Sequence, residues 1–224
     1  MEQELYLFIL WQKARFMEKN IINDIKKNFK ILQSYEVTWT PELFTSNLAH
    51  FYGKRLPKGC KKEKEVGNGP FFLLFVHDNA PLHDKNNRNL NVMEAKHKYR
   101  QLFGANLVHA SNTTEETLEN TLFLLGKNLK DIEKETPQPS PIACNTNITG
   151  VLAWNNIEEA LDIVKKIPFT RATPHKKSYL IHTRHADLVR RLLNARSHFK
   201  IPGRHKYFIK VNKTNFPIYI RKVS

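Results

Sequence analysis

Two uninterrupted apolar runs, Leu5–Trp11 (LYLFILW) and Phe71–Val76 (FFLLFV), constrain the fold of this chain more than any other feature. Neither shows the alternation of a half-solvated strand, so each reads as a short strand buried in the interior. The longer run is about a third of the roughly 20 residues needed to cross a bilayer. No basic segment or small-residue cleavage site surrounds it, so it is not a secretory signal. The expectation is a soluble, cytoplasmic protein with no membrane partner.

Between and after these runs, helical and extended patterns alternate. Ile21, Ile22, Ile25 and Phe29 fall at helical spacing, predicting an amphipathic helix over 17–28. Lys30–Trp39 reads as a strand. Thr40-Pro41-Glu42 then supplies an N-cap, a proline at the first helical position and an acid in the first turn. Leu43, Leu48 and Phe51 line that helix, and Gly53 follows it. Gly67-Asn-Gly-Pro70 leads into the second apolar run. A helix is expected around 92–102, a strand at 106–109, and a helix over Thr114–Leu125 with a capping box from Thr113 and Glu116 and a stop at Gly126. Two split βαβ units in this order predict an α/β (α+β) ferredoxin-like domain: a four-stranded antiparallel sheet with helices over one face.

The charge divides the chain. Of 36 Lys+Arg residues, 16 lie in 151–224 against only four acids, so the last 74 residues carry +12 and the first 150 carry +3. Glu135-Thr-Pro-Gln-Pro-Ser-Pro141 alternates proline with other residues, which favours an extended, non-helical connection. The expected organisation is a domain at 1–134, a Pro-rich linker at 135–147 and a basic α/β domain at 148–224. Cys60 and Cys144 are too few and too far apart for a disulfide framework or a metal cluster.

His109 is the residue best placed for chemistry. It ends a predicted strand just ahead of a helix N-terminus, where free N–H groups and the positive end of the helix dipole favour an anion such as phosphate. Ala110 is small and Ser111 brings a hydroxyl. A histidine held neutral and oriented there can act as a nucleophile or a general acid/base. The competing reading is a histidine packed at a strand end.

The segment Asn106-Leu-Val-His109-Ala-Ser111, followed by an amphipathic helix, resembles the active-site segment of nucleoside diphosphate kinases. Gly69-Pro70 and the apolar strand after it, Phe51-Tyr52 ending a helix upstream, and the Ile21-Ile22 pair of the first helix are similar to that family in order and spacing over about residues 4–128. The resemblance implies that His109 accepts the γ-phosphoryl of a Mg²⁺-bound nucleoside triphosphate and passes it on with ping-pong kinetics. It also implies that Asn106 contacts the sugar, that Tyr52 stacks near the base, and that Lys96, Arg100, Lys13 and Ser111 serve the phosphates. A homo-oligomer is among the partners it allows.

The chain departs from that family at definite places. The K-P-D signature is replaced by Trp11-Gln12-Lys13-Ala14-Arg15. The stretch from Gly69 to Lys96 is about seven residues short. The glutamate that orients the histidine, 11 residues further on, is Asn120 here, with Glu116 and Glu119 at other helix positions. Without that carboxylate, the imidazole tautomer loses support.

Residues 148–224 predict a strand at 150–154, a helix over Ile157–Ile167, a strand at 178–182, a helix over Ala186–Ala195 with Arg190, Arg191 and Arg196 outward, and paired strands at 207–211 and 217–221. This order, with Leu192-Leu-Asn-Ala195, Tyr207-Phe-Ile-Lys-Val211 and Ile218-Tyr-Ile-Arg221, is faintly similar to minimal nucleotidyltransferases. Such enzymes hold two metals on paired carboxylates, whereas the strand Ser178-Tyr-Leu-Ile-His-Thr183 has no acid. The five histidines of this half form no zinc spacing. Its basic surface suits nucleic acid, with Tyr207 and Phe208 for stacking, or an acidic partner, or plain solvation. The alternative to phosphotransfer is therefore a non-catalytic protein that binds through this surface.

Overall fold

The computed structural model describes residues 3–52, 59–144, 154–201, 204–212 and 214–223, with backbone alone for 197–201 and 204. The chain forms two compact units, Met1–Asn147 and Ile148–Ser224.

The first unit runs β1 (Glu4–Leu10), a 3-10 turn (Gln12–Met17), α1 (Glu18–Ile25), β2 (Lys30–Val37), α2 (Pro41–Phe51), α3 (Lys61–Val66), β3 (Phe71–Asp78), α4 (Leu90–Phe103), β4 (Val108–Ala110), α5 (Thr114–Leu125), α6 (Leu129–Lys134) and β5 (Ile142–Cys144). The sheet order is β4-β1-β3-β2-β5. Neighbours in the run β4-β1-β3-β2 pair antiparallel, which is the ferredoxin-like arrangement.

β1 and β3, the two apolar runs, lie at the centre, and their side chains feed two cores. Leu5, Leu7, Ile9 and Trp11 join Phe44, Leu48, Leu124 and Ile132 of α2, α5 and α6. Tyr6, Phe8 and Leu10 join Ile21, Ile25, Val92 and Tyr99 of α1 and α4. The expectation of helices over one face is thus corrected: both faces are covered. The physical reason lies in β1 and β3 themselves, since a strand apolar on both sides must be shielded on both. Burying each of these large side chains contributes ~1.5–3 kcal/mol.

Several local expectations change in detail. The 17–28 helix begins as a 3-10 turn and its α-helical part is Glu18–Ile25. Thr40 holds the N-cap position before Pro41, but its side chain makes no cap bond. Gly53 lies outside the described residues. Thr113 accepts the Glu116 N–H at 3.0 Å as a cap should, while the Glu116 carboxylate takes the N–H of Asn112 (2.7 Å) instead of that of Thr113.

The Pro-rich stretch is docked to the first unit. Glu135 receives the Tyr35 hydroxyl and the Lys127 ammonium, and the Thr136 carbonyl accepts from Gln33 Nε2 at 3.2 Å. β5 then pairs in parallel with β2, in register from Tyr35–Ile142 to Val37–Cys144. Alternating prolines pre-extend the backbone, and an extended segment is what an open sheet edge can accept.

The second unit runs α7 (Ile157–Lys165), β6 (Thr170–His175), β7 (Ser178–Thr183), α8 (Ala186–Leu192), β8 (Arg196–Ile201), β9 (Arg204–Val211) and β10 (Thr214–Lys222), with sheet order β6-β7-β10-β9-β8. Most of the strand expected at 150–154 lies outside the described residues; Trp154 bridges to Val211. Arg196 opens a strand and does not lie on the helix, because Asn194 takes a positive φ of 48° and turns the chain after α8.

Candidate functional site

β4 is an edge strand, and strand alternation aims its residues in opposite directions. Val108 and Ala110 point into the α1/α4 core. His109 points the other way, towards α2 and α5, with its side chain 12 % exposed. Its ring meets Phe51 edge-on (centroids 5.2 Å) and Tyr52 at 6.3 Å. Its Nε2 lies 3.2 Å from Nδ2 of Asn120 and 3.6 Å from Oε1 of Glu116.

Three cations lie near enough to act on this ring. Lys96 reaches across the edge of β4 to the Ala110 carbonyl (3.2 Å) and to the side-chain oxygen of Asn112. Arg100, one turn later on α4, donates its Nε to the Val108 carbonyl at 3.0 Å. Lys62 of α3 lies over the Tyr52 ring (5.4 Å) and donates to the Asn106 carbonyl at 3.2 Å. Burial, followed by the charges of Lys96, Arg100 and Lys62, pushes the His109 imidazole down to about 3. The ring is therefore neutral at any ordinary pH. Burial also lowers Lys62 and Lys96, and the charge of Arg100 lowers both further. Cations held this close and partly stripped of water are stabilised by an anion placed among them.

The residues singled out from the sequence separate in space. His109, Lys96, Arg100 and Tyr52 come together. The Tyr52 ring is packed against Trp11 (6.4 Å) and Phe51 (5.0 Å), and burial raises its phenol to about 12. Asn106 ties the segment before β4 to α3, its N–H donating to Glu65 at 2.8 Å. Lys13 donates to the Lys64 carbonyl at 2.7 Å and is not among the charges acting on His109. Ser111 is fully buried; its hydroxyl accepts the Leu7 N–H at 3.0 Å and lies 2.7 Å from the Thr117 hydroxyl. That hydroxyl joins β4 to β1 and α5, so it does not face a ligand.

The sequence does not reveal one member of the site, and it sets a second at the wrong helix position. Lys62 sits on α3, a six-residue helix of five charged residues and Val66, with no apolar period to reveal it. Glu116, the capping-box candidate whose helix position differs from that of the family's orienting glutamate, turns its second carboxylate oxygen to within 3.6 Å of His109 Nε2. Ahead of β3, the Gln12 side chain lies against Gly69 and accepts its N–H at 3.1 Å.

No family model matches the chain, and no curated protein matches it. Among solved structures it is similar to nucleoside diphosphate kinases. That of Aquifex aeolicus is 20% identical over 55% of this chain and 94% of that one, with a TM-score of 0.38. That of Encephalitozoon cuniculi is 13% identical over 59% and 94%, with a TM-score of 0.40. That of Borrelia burgdorferi, solved with vanadate and ADP, is 12% identical over 51% and 82%, with a TM-score of 0.31. The ferredoxin-like fold stands on the strand order and pairing of this chain itself.

Among the described residues, no helix is long and apolar enough to cross a membrane, and no group of three or more His, Cys, Asp or Glu side chains is gathered to hold a metal. A separate cavity of about 380 Å³ opens among Asp24, Asp78, Asn91, Glu94, Lys98 and Tyr99, and no His109-site residue lines it.

Proposed function

We propose that the first unit binds a nucleoside triphosphate and accepts its γ-phosphoryl group on His109. One observation carries this reading: a neutral, mostly buried imidazole stands among three cations, Lys62, Lys96 and Arg100, with a single carboxylate at its Nε2. Carboxylates attract the proton of an imidazole, so Glu116 favours the tautomer with hydrogen on Nε2. Asn120 turns its Nδ2 to the ring at 3.2 Å, and it supports that tautomer once its amide oxygen and nitrogen are exchanged, a rotation that leaves the side-chain shape unchanged. The Nδ1 lone pair is then the nucleophile.

The step balances simply. Nδ1 forms a bond to the γ-phosphorus as the bond to the bridging oxygen breaks, and the nucleoside diphosphate leaves with the electron pair. The three cations offset the charge on the equatorial oxygens. The positive charge gained by the ring is shared with Glu116. Phosphohistidine then passes the group to an acceptor, regenerating the neutral ring. Magnesium belongs to the substrate here: the donor set around His109 is cationic and suits phosphate, and the metal would arrive on the nucleotide.

A second reading has its own support. Lys96 and Arg100 both donate to edge carbonyls of β4, which suits a scaffold in which His109 is packed and the protein acts by binding alone. Incubation with γ-labelled ATP and Mg²⁺ separates the two. The phosphotransfer reading expects an acid-labile, alkali-stable label on wild type and none on His109→Gln. Absence of label, together with absence of MgATP binding by calorimetry, leaves the scaffold reading.

A further inference from the structure

The sheet of the second unit has two unlike faces. The register places Ile181, Ile209, Ile218 and Ile220 on one face, all buried. α7 packs on β6 and α8 on β10. On the opposite face, rows run across the strands. One row reads Thr173, Leu180, Tyr219, Lys206, and a second reads Arg171, His182, Arg221. Phe208 lies beside Pro217 on the same face.

On this face aromatic rings and cations interleave. His175 meets Tyr219 edge-on at 5.6 Å, and the Lys206 ammonium lies 5.2 Å from the Phe208 centroid and 6.0 Å from that of Tyr219. Tyr219, Lys206 and Phe208 are half-buried, while Arg171, Lys210 and Arg221 are exposed. The only four acids of residues 151–224, Glu158, Glu159, Asp162 and Asp187, all fall within α7 and α8, so none is on the sheet. The sequence reading paired Tyr207 with Phe208 as stacking residues. Neighbours on a strand face opposite ways, and Tyr207 lies on the Ile218 side, so Tyr219 takes its place.

We propose that this face binds single-stranded nucleic acid, with a base stacked on Tyr219 and phosphates on the flanking cations. Stacking needs an unpaired base, because a duplex offers only edges and backbone at its sides. An acidic protein would use the cations and leave the central rings without a task.

The test is fluorescence anisotropy of the full chain with a labelled oligothymidylate of about 16 nucleotides, a duplex of equal length, and polyglutamate as competitor. Expected is binding to the single strand that weakens linearly in log salt and is tighter than binding to the duplex. Tyr219→Leu should weaken it roughly 5- to 100-fold with the salt slope kept, and Tyr219→Phe should retain it. Arg221→Gln should reduce the slope by about 0.7. If Tyr219→Leu loses its circular dichroism signature, His175→Leu provides the same reading at the rim of the ring cluster. No binding at low salt, equal affinity for the duplex, full displacement by polyglutamate at equal charge, or indifference to removal of the ring each overturns the proposal.

Discussion

Arg100 donates its Nε to the Val108 carbonyl at 3.0 Å, which closes the open edge of β4 and brings a fixed positive charge next to His109. One side chain thus performs two tasks, blunting an edge strand and lowering the pKa of the adjacent imidazole.

Arg100→Met separates these tasks. It keeps the aliphatic stem and removes the charged donor, so the His109, Lys62 and Lys96 titrations should all move upward, as read by NMR. Loss of a charge-assisted hydrogen bond at this half-buried position should cost about 1–2 kcal/mol in denaturant unfolding. Titrations that stay where they were would mean that burial alone holds His109 neutral.

Glu116→Gln tests the carboxylate at Nε2. It keeps an oxygen for the Asn112 N–H, so stability should change little. The phosphorylation rate of His109 should fall by about 10-fold or more, while MgATP affinity is retained. Nitrogen NMR shifts should show the ring proton redistributing between Nε2 and Nδ1. A rate equal to wild type would remove Glu116 from the mechanism.

His109 makes the first unit sensitive to acid. Its folded value, about 3, lies below its free value of 6.5. The contribution of the neutral ring is therefore complete above pH ~6.5 and is lost as pH falls towards 3, because only the unfolded chain takes up the proton in that window. The slope is at most about 1.4 kcal/mol per pH unit. Burial lowers His77 in the same direction. His109→Gln should therefore flatten part of the thermal-midpoint decline below pH 6.5, leaving the share of His77. An unaltered profile would show that the ring is accessible to protons in the folded state.

Ser111→Ala leaves the buried Leu7 N–H without its hydroxyl acceptor. An unsatisfied buried donor costs about 1–3 kcal/mol. Unfolding should reveal that loss, while labelling of the molecules that remain folded should be unchanged. A selective loss of labelling would return Ser111 to the phosphate site.

These contrasts mark what was legible in the sequence. The central strands were plain, because six or seven consecutive apolar residues have few other uses in a chain of this length. The Thr113 cap was plain because a cap is local. The second cover on the sheet went unread although the doubly apolar strands demanded it. The short edge elements were silent: β5 is three residues, and β6 contains Pro174 and polar residues. Around His109, the histidine and the α4 cations lie close in sequence, whereas Lys62 arrives from 47 residues upstream without a motif. Ser111 misled because a hydroxyl beside a catalytic candidate looks like a ligand contact, and only burial reveals that it serves the backbone.

The pairing of β5 with β2 carries a consequence for how the protein is made. Roughly a hundred residues separate Val37 from Ile142, which at about 5–20 residues per second is on the order of 5–20 s of synthesis. Throughout that interval the nascent sheet has its β2 edge unpaired, and the Cys144 carbonyl that later receives the Thr38 N–H at 3.0 Å has not yet emerged. The β2 edge is therefore the last part of this sheet to be closed, and truncation at Lys134 would leave it unpaired.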